Sequence, residues 1–256
     1  MNAWYSFLDR SDYKGSEPYF FDTAQFAWAK NVEANWTTIR SELDKLLATD
    51  ATMNPYFDPN LVTKAQSWKT IAFGAWGVWF GQNCRKVPKT IALLQKIPGC
   101  VSASFNLLDP HSSIKPHNGD TNAIVRCHLG LHIPAGLPQV GFRVGNEERA
   151  WENGKLLIFC DAHRHTAWNE SDQKRYILLF DVVRPEYIQQ KKRVCSRVLA
   201  SLFLQSAVSK LPTPIGTLLT KLPMLLQFLL FKMAEYSARV LVPIRNSFVG
   251  LYSAGD

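Results

Sequence analysis

No C-x-x-C pair occurs among the five cysteines, Cys84, Cys100, Cys127, Cys160 and Cys195, which are odd in number and widely spaced. Such a set suits neither a disulfide frame nor a thiolate zinc site, and reduced, buried thiols are the expectation. Long apolar runs are missing too. The best uncharged stretch, Leu222 to Phe231, lies between Lys221 and Lys232 and is about half the ~20 residues that a bilayer span needs. Residues 1–10 lack the basic start and apolar run of a secretory leader, so a cytoplasmic location is expected. No fixed-period repeat or low-complexity tract occurs, which excludes solenoids and propellers. Acidic residues are scarce at one end: residues 191–256 hold nine Lys/Arg against Glu235 and Asp256, in a chain of net charge +8 whose first 190 residues are nearly neutral. A surplus so confined suits contact with an acidic surface, whereas a nucleic-acid-binding protein spreads its basic face over the main domain. No nucleic-acid partner is expected.

What is present is enough for a core, since 256 residues with 46% apolar content can bury one well. Residues 23–49 place Phe26, Trp28, Val32, Trp36, Ile39, Leu43 and Leu46 at three- and four-residue steps, which predicts an amphipathic helix. Residues 50–100 are broken by Pro55, Pro59, Pro88 and Pro98, with a second short helix expected at Thr90–Lys96. After Gly99 the pattern changes to short β-favouring runs, Val101–Leu108, Arg126–Ile133, Val140–Val144, Lys155–Phe159 and Arg175–Val183, which read as an all-β sandwich or barrel. In the second run Arg126, His128, Gly130 and His132 share one face of a strand, and Cys127, Leu129, Leu131 and Ile133 share the other. That is the parity of a strand lining a polar cavity and equally of a half-exposed strand. Residues 187–250 return to helical spacing, with Pro212, Pro214, Pro223 and Pro243 as breaks between three short helices. Their mixed basic and apolar character fits either packing on the sheet or on a second subunit, or contact with an anionic membrane at its inner face.

All six histidines fall between His111 and His165, inside the β region. Two imidazoles from different strands can hold a first-row divalent ion, and an arginine set back from it can receive a carboxylate bidentately. His117 sits in a turn-rich segment, Lys115 to Asn122. His165 follows in Asp161-Ala-His-Arg-His-Thr-Ala-Trp-Asn169, with Arg126 nine residues past His117 and Arg175 ten past His165.

Several motifs in one order carry a resemblance: Pro88-Lys-Thr90, Ile97-Pro-Gly99, His117-Asn-Gly-Asp-Thr-Asn122, Arg126-Cys-His128, Gly141-Phe-Arg-Val-Gly145 through Trp151 to Lys155, His165-Thr-Ala-Trp-Asn169, and Arg175 to Pro185. Over about residues 18–186 the chain resembles the aspartyl/asparaginyl β-hydroxylase family. The resemblance implies a mainly β double-stranded β-helix, or jelly roll, in a dioxygenase domain of residues 1–186. That domain comprises a helical flank, 1–100, and a core, 101–186, followed by a helical extension, 187–256. It also implies an Fe(II)- and 2-oxoglutarate-dependent dioxygenase using O2. His117 and His165 match the metal ligands, and Arg126, His128 and Arg175 match residues that hold 2-oxoglutarate. Asn106 stands where the family has a smaller hydroxyl residue that also touches it. Gly119, two residues past His117, replaces the carboxylate of the wider oxygenase class, an absence the family shares.

The implied substrates are an aspartyl- or asparaginyl-type side chain, in a peptide or free, or a lipid acyl chain. A carboxylate-free site leaves open a halogenase or another small-metabolite oxygenase. A non-catalytic jelly-roll binding protein is the reading from a different class. Trp151 and Trp168 are candidate walls against water, and His111, His132 and His163 are expected to be structural.

Overall fold

A computed structural model describes residues 3–9, 11–49, 53–209 and 224–249. The strands are β1 (Phe20–Phe21), β2 (Asn54–Pro55), β3 (Trp68–Ala75), β4 (Val78–Trp79), β5 (Cys100–Leu108), β6 (Ser112–His117), β7 (Ile124–His132), β8 (Val140–Val144), β9 (Glu147–Arg149), β10 (Leu156–Phe159), β11 (His165–Asn169) and β12 (Arg175–Val183). The helices are α1 (Ser6–Asp9), α2 (Ala29–Ala34), α3 (Trp36–Ala48), α4 (Gly81–Cys84), α5 (Pro88–Leu94), α6 (Lys191–Ser209) and α7 (Met224–Val249).

The strands form two antiparallel sheets, in the orders β1-β10-β7-β12-β5-β3-β2, with β4 on β3, and β6-β11-β8-β9. From β5 onward the chain passes from one sheet to the other at each strand, except at the β8–β9 hairpin, and this winding makes the expected double-stranded β-helix. Period-two alternation then sorts the side chains. On β7, Cys127, Leu129 and Leu131 point outward into a core shared with Ile39, Leu43, Leu46, Ile91 and Leu94 of α3 and α5. On the inward face, Leu108, Ile114, Phe142, Val144, Ala167 and Ile177 pack the two sheets together. Arg126 and His128 share that inward face. Gly130 does too, where a Cβ would collide with the carbonyl of Glu152, so only glycine lets the 152–155 segment cross there.

Five of the predicted strands are present within one or two residues. Others differ. The 1–100 flank is not purely helical, because β3 pairs along β5 and buries Trp68, Ile71 and Phe73. Flanking prolines and a short alternating run hid it. The segment read as turn-rich before Asn118 holds β6, an edge strand of its sheet, where Pro116 removes no needed ladder bond. The single helix over 23–49 is a 3-10 turn at Thr23–Gln25 followed by α2 and α3, broken at Asn35, whose amide turns back onto Asn31.

In the extension, α6 buries Val194, Cys195 and Val198 against Trp76, Val101, Ile124, Val183 and Tyr187. Pro243 does not end a helix; α7 runs through it. Its missing N–H orphans one carbonyl a turn earlier, at a position where α7 is exposed. Pro212, Pro214 and Pro223 lie outside the described residues. No helix among the described residues is long and apolar enough to cross a membrane.

One buried carboxylate ties the flank together. Glu42 of α3 accepts from the backbone N–H groups of Lys89 and Thr90 at 2.9 and 2.8 Å and from the Thr90 hydroxyl at 2.7 Å, capping the first turn of α5. Glu42→Ala is expected to cost about 2 kcal/mol, since three donors lose their acceptor in a buried place. Urea unfolding would show it as a lower midpoint at unchanged slope.

Candidate active site

The antiparallel pairing of β6 and β11 sets His117 directly opposite His165, and their ring centroids lie 4.2 Å apart. Each ring is fixed in the same way. Nδ1 of His117 faces the carbonyl of Lys115 at 2.8 Å, and Nδ1 of His165 faces the carbonyl of His163 at 2.8 Å. A carbonyl only accepts, so each Nδ1 carries the proton and each Nε2 keeps its lone pair. Burial holds His117 below its ordinary 6.5 and His165 well below it, so both are neutral near pH 7. Two neutral imidazoles with free Nε2 lone pairs have the chemistry of nitrogen ligands for a first-row metal.

His128 is wired the opposite way. Its Nδ1 faces the indole N–H of Trp151 at 3.3 Å, and indole only donates, so the proton of His128 is on Nε2. That Nε2 is buried without a partner. Trp151 also carries the guanidinium of Arg175, 4.5 Å above its ring. Arg175 is 2% exposed, and its Nε and Nη1 have no hydrogen-bond partner. Burial pulls it down to about 9, so it is still a cation near neutral pH. A buried cation with open donors beside an N–H donor is a place for an anion.

Arg126 lies across from Asp181 in the β7–β12 register and gives it two bonds, Nε at 2.7 Å and Nη2 at 3.1 Å; Nη1 reaches Asp161 at 2.6 Å. Against the desolvation that burial imposes, these carboxylates hold Arg126 charged. Two of its five N–H groups remain, and it lines the same cavity as His117, His165, His128 and Arg175. Asn106 lines it as well, but its amide is committed: Oδ1 accepts from Trp68 Nε1 at 2.9 Å, and Nδ2 donates to Ser104 Oγ at 2.8 Å. Asn106 therefore positions Trp68, a wall of the cavity stacked on Tyr56 at 3.6 Å. Ile114, Phe142, Ala167, Ile177 and Leu179 add an apolar part to the lining, together with Thr166, whose hydroxyl donates to the Ile114 carbonyl.

The residue missed in the sequence is Asp161. Its Oδ1 stands 3.6 Å from His165 Nε2, and a Cβ on Gly119 would collide with its carboxylate. The space left by the missing side chain at 119 is filled by a carboxylate from the β10–β11 turn. Burial pushes Asp161 upward, against the pull of Arg126. The available signal is its place four residues before His165, in the same Asp161–Asn169 segment, to which the sequence analysis assigns no role.

Among the other candidates, Trp151 joins the site and Trp168 does not, its indole N–H bonding the carbonyl of Pro138. His111 pairs with Asp172 at an exposed turn, His132 packs by Tyr176, and His163 donates to the Glu17 carbonyl between Tyr13 and Tyr19. All three lie outside the cavity lining.

A family model described as aspartyl/asparaginyl β-hydroxylase matches residues 33–185. An ornithine lipid ester-linked acyl 2-hydroxylase of Rhizobium tropici is 37% identical over 187 residues, 72% of this chain and 66% of that protein. The aspartyl/asparaginyl β-hydroxylase of Homo sapiens is 34% identical over 179 residues, 67% of this chain but 23% of its own length. The chain therefore spans less than two thirds of either relative. A prolyl hydroxylase structure from Trichoplax adhaerens superposes with a TM-score of 0.44 at 11% identity, over 61% of this chain and 81% of that one.

The wiring of His128 has a pH consequence. Burial, reinforced by Arg175 and Arg126, holds its folded pKa well below the ordinary 6.5, so between those two values the unfolded chain binds a proton that the folded chain refuses. Its contribution to stability is therefore lost as pH falls below 6.5. In metal-free protein titrated from about pH 7.5 to about 5, thermal unfolding of wild type should fall more steeply than that of His128→Gln. Parallel curves would contradict the assignment.

Proposed function

The chain belongs to the aspartyl/asparaginyl β-hydroxylase family, and on that premise we propose that it is an Fe(II)- and 2-oxoglutarate-dependent hydroxylase acting on the acyl chain of a lipid. The observation that carries the proposal is the set of unmet polar atoms at one cavity: two imidazole lone pairs, the Nε2–H of His128, and Nε and Nη1 of Arg175. The donor set fits the implied groups, with nitrogen ligands for a borderline metal and fixed cationic and N–H donors for a dicarboxylate.

His117 and His165 would hold the metal. Fe(II), with 2-oxoglutarate and O2, supplies the oxidising power to turn C–H into C–OH while the cosubstrate leaves as succinate and CO2. Arg175 receives a carboxylate of 2-oxoglutarate with its planar fork, which its stack on Trp151 pre-orients. His128 donates Nε2–H to the same cosubstrate, and Arg126 offers its two remaining N–H groups. Asp161 accepts hydrogen bonds next to the metal-facing nitrogen of His165, and Arg126 and the 119 glycine keep it there. The apolar lining suits a hydrocarbon chain, and the Rhizobium tropici relative, named as an acyl 2-hydroxylase, supports a lipid substrate over an aspartyl side chain. A non-catalytic binding protein has no use for imidazoles arranged in this way.

Anaerobically iron-loaded wild type given O2, 2-oxoglutarate and an ornithine-lipid or lipid A extract should form succinate and a hydroxylated acyl chain by mass spectrometry. His117→Ala and His165→Ala should form neither. Hydroxylation of an aspartyl peptide instead would move the substrate reading to the side-chain class, and succinate formation undiminished in both variants would overturn the metal reading. Arg175→Gln should raise the KM for 2-oxoglutarate by about 30-fold or more, the equivalent of roughly 2 kcal/mol for a lost buried charge pair.

A further inference from the structure

The inner face of α7 is fully occupied. Phe231 is buried and stacks on Phe7 at 5.8 Å. Glu235, also buried, bonds Lys232 at 2.8 Å, Arg239 at 2.9 Å and Arg197 of α6 at 3.3 Å. Asn246 accepts from Trp79 N at 3.3 Å and donates to the Gly77 carbonyl at 2.5 Å, and Arg245 donates to the Trp79 carbonyl at 3.0 Å. The helix is thus held against the fold by its middle and its C-terminal end.

The opposite face is apolar and open. Leu226, Leu229, Met233, Tyr236 and Val240 recur at steps of three and four, the spacing of a single helical stripe, and are 46%, 51%, 67%, 69% and 41% exposed. From Leu226 to Val240 the stripe runs about 21 Å at the helical rise. Leu230 and Leu241 widen it and are exposed as well. Together α6 and α7 carry seven basic residues, Lys191, Lys192, Arg193, Arg197, Lys232, Arg239 and Arg245, and one acid, Glu235, which is already enclosed by three of them.

We propose that the outer face of α7 is a membrane-docking surface, lying in the plane of an anionic bilayer with its apolar stripe among the acyl chains and the basic residues of the helix pair at the headgroups. The apolar stripe seeks a hydrocarbon phase, and the surplus of positive charge selects an anionic one. A second copy of the chain is the poorer occupant, because apposing two such helix pairs brings like charges together, whereas an anionic surface neutralises them. The helix is not long and apolar enough to cross, which suits an in-plane position. Docking requires no turnover and stands apart from the catalytic reading.

The test uses the full chain with vesicles of phosphatidylcholine alone or mixed with phosphatidylglycerol. Wild type should sediment with the anionic vesicles at least tenfold more strongly than with the neutral ones, and less as salt rises. A Leu229→Glu, Met233→Glu, Val240→Glu triple variant should lose that binding tenfold or more, with an unchanged circular dichroism spectrum and melting temperature. In otherwise wild-type protein, Tyr236→Trp should shift its emission to the blue on adding anionic vesicles, a readout independent of whether the triple variant folds. Failure of wild type to sediment, an unshifted Tyr236→Trp emission, or equal sedimentation of the triple variant would overturn the proposal. A dimer that the triple variant converts to monomer, with no vesicle binding, would give the face to a second copy.

Discussion

Two backbone carbonyls, those of Lys115 and His163, govern the chemistry of this fold. Each stands two residues before a histidine and takes the Nδ1 proton, and so the Nε2 lone pairs of His117 and His165 face one another's strand across the β6–β11 pairing. If either ring turned over, its lone pair would meet a carbonyl and its N–H would enter the cavity, so that ring would no longer offer a nitrogen lone pair there. The carbonyls are fixed because they belong to, or immediately precede, paired strands. The tautomers are therefore a product of sheet register, and the donor set needs no metal to form it.

Around that pair, buried charge is arranged in two different ways. Three bonds from Arg126 tie Asp161 and Asp181 together, which places a carboxyl group beside His165 without a residue at 119 to supply it. Arg175 has no such counter-ion. It rests on the face of Trp151, whose N–H in turn sets the tautomer of His128, so a single indole prepares both the cation and the hydrogen-bond donor that await an anion. The first group holds itself in place, with two N–H groups of Arg126 and Oδ2 of Asp161 left over. The second keeps buried donors, Nε and Nη1 of Arg175 and Nε2 of His128, that no protein group meets.

Much of this was legible beforehand. Period-two alternation correctly put Arg126 and His128 on one face of β7, because that strand is long and its opposite face is wholly apolar. The histidine clustering and the spacing to the arginines singled out four residues that the fold does bring to one cavity. The link between Asn106 and Trp68 was not legible, since an amide's partners depend on a strand, β3, that local pattern did not show. Asp161 was missed for a related reason: its role follows from the volume vacated at Gly119, some forty residues away in sequence but adjacent in space. The break at Asn35 and the passage of α7 through Pro243 show local propensity yielding to context. A side chain that caps its own preceding turn can stop a helix, and a proline on an exposed helix can fail to.

The protonation pattern of three rings decides the chemistry of the cavity, and long-range nitrogen–proton NMR of metal-free, uniformly nitrogen-15-labelled protein reads it directly near neutral pH. His117 and His165 should be neutral with the proton on Nδ1, and His128 neutral with the proton on Nε2. A proton on Nε2 of His117 or His165, or a His128 in the same tautomer as the other two, would contradict that pattern.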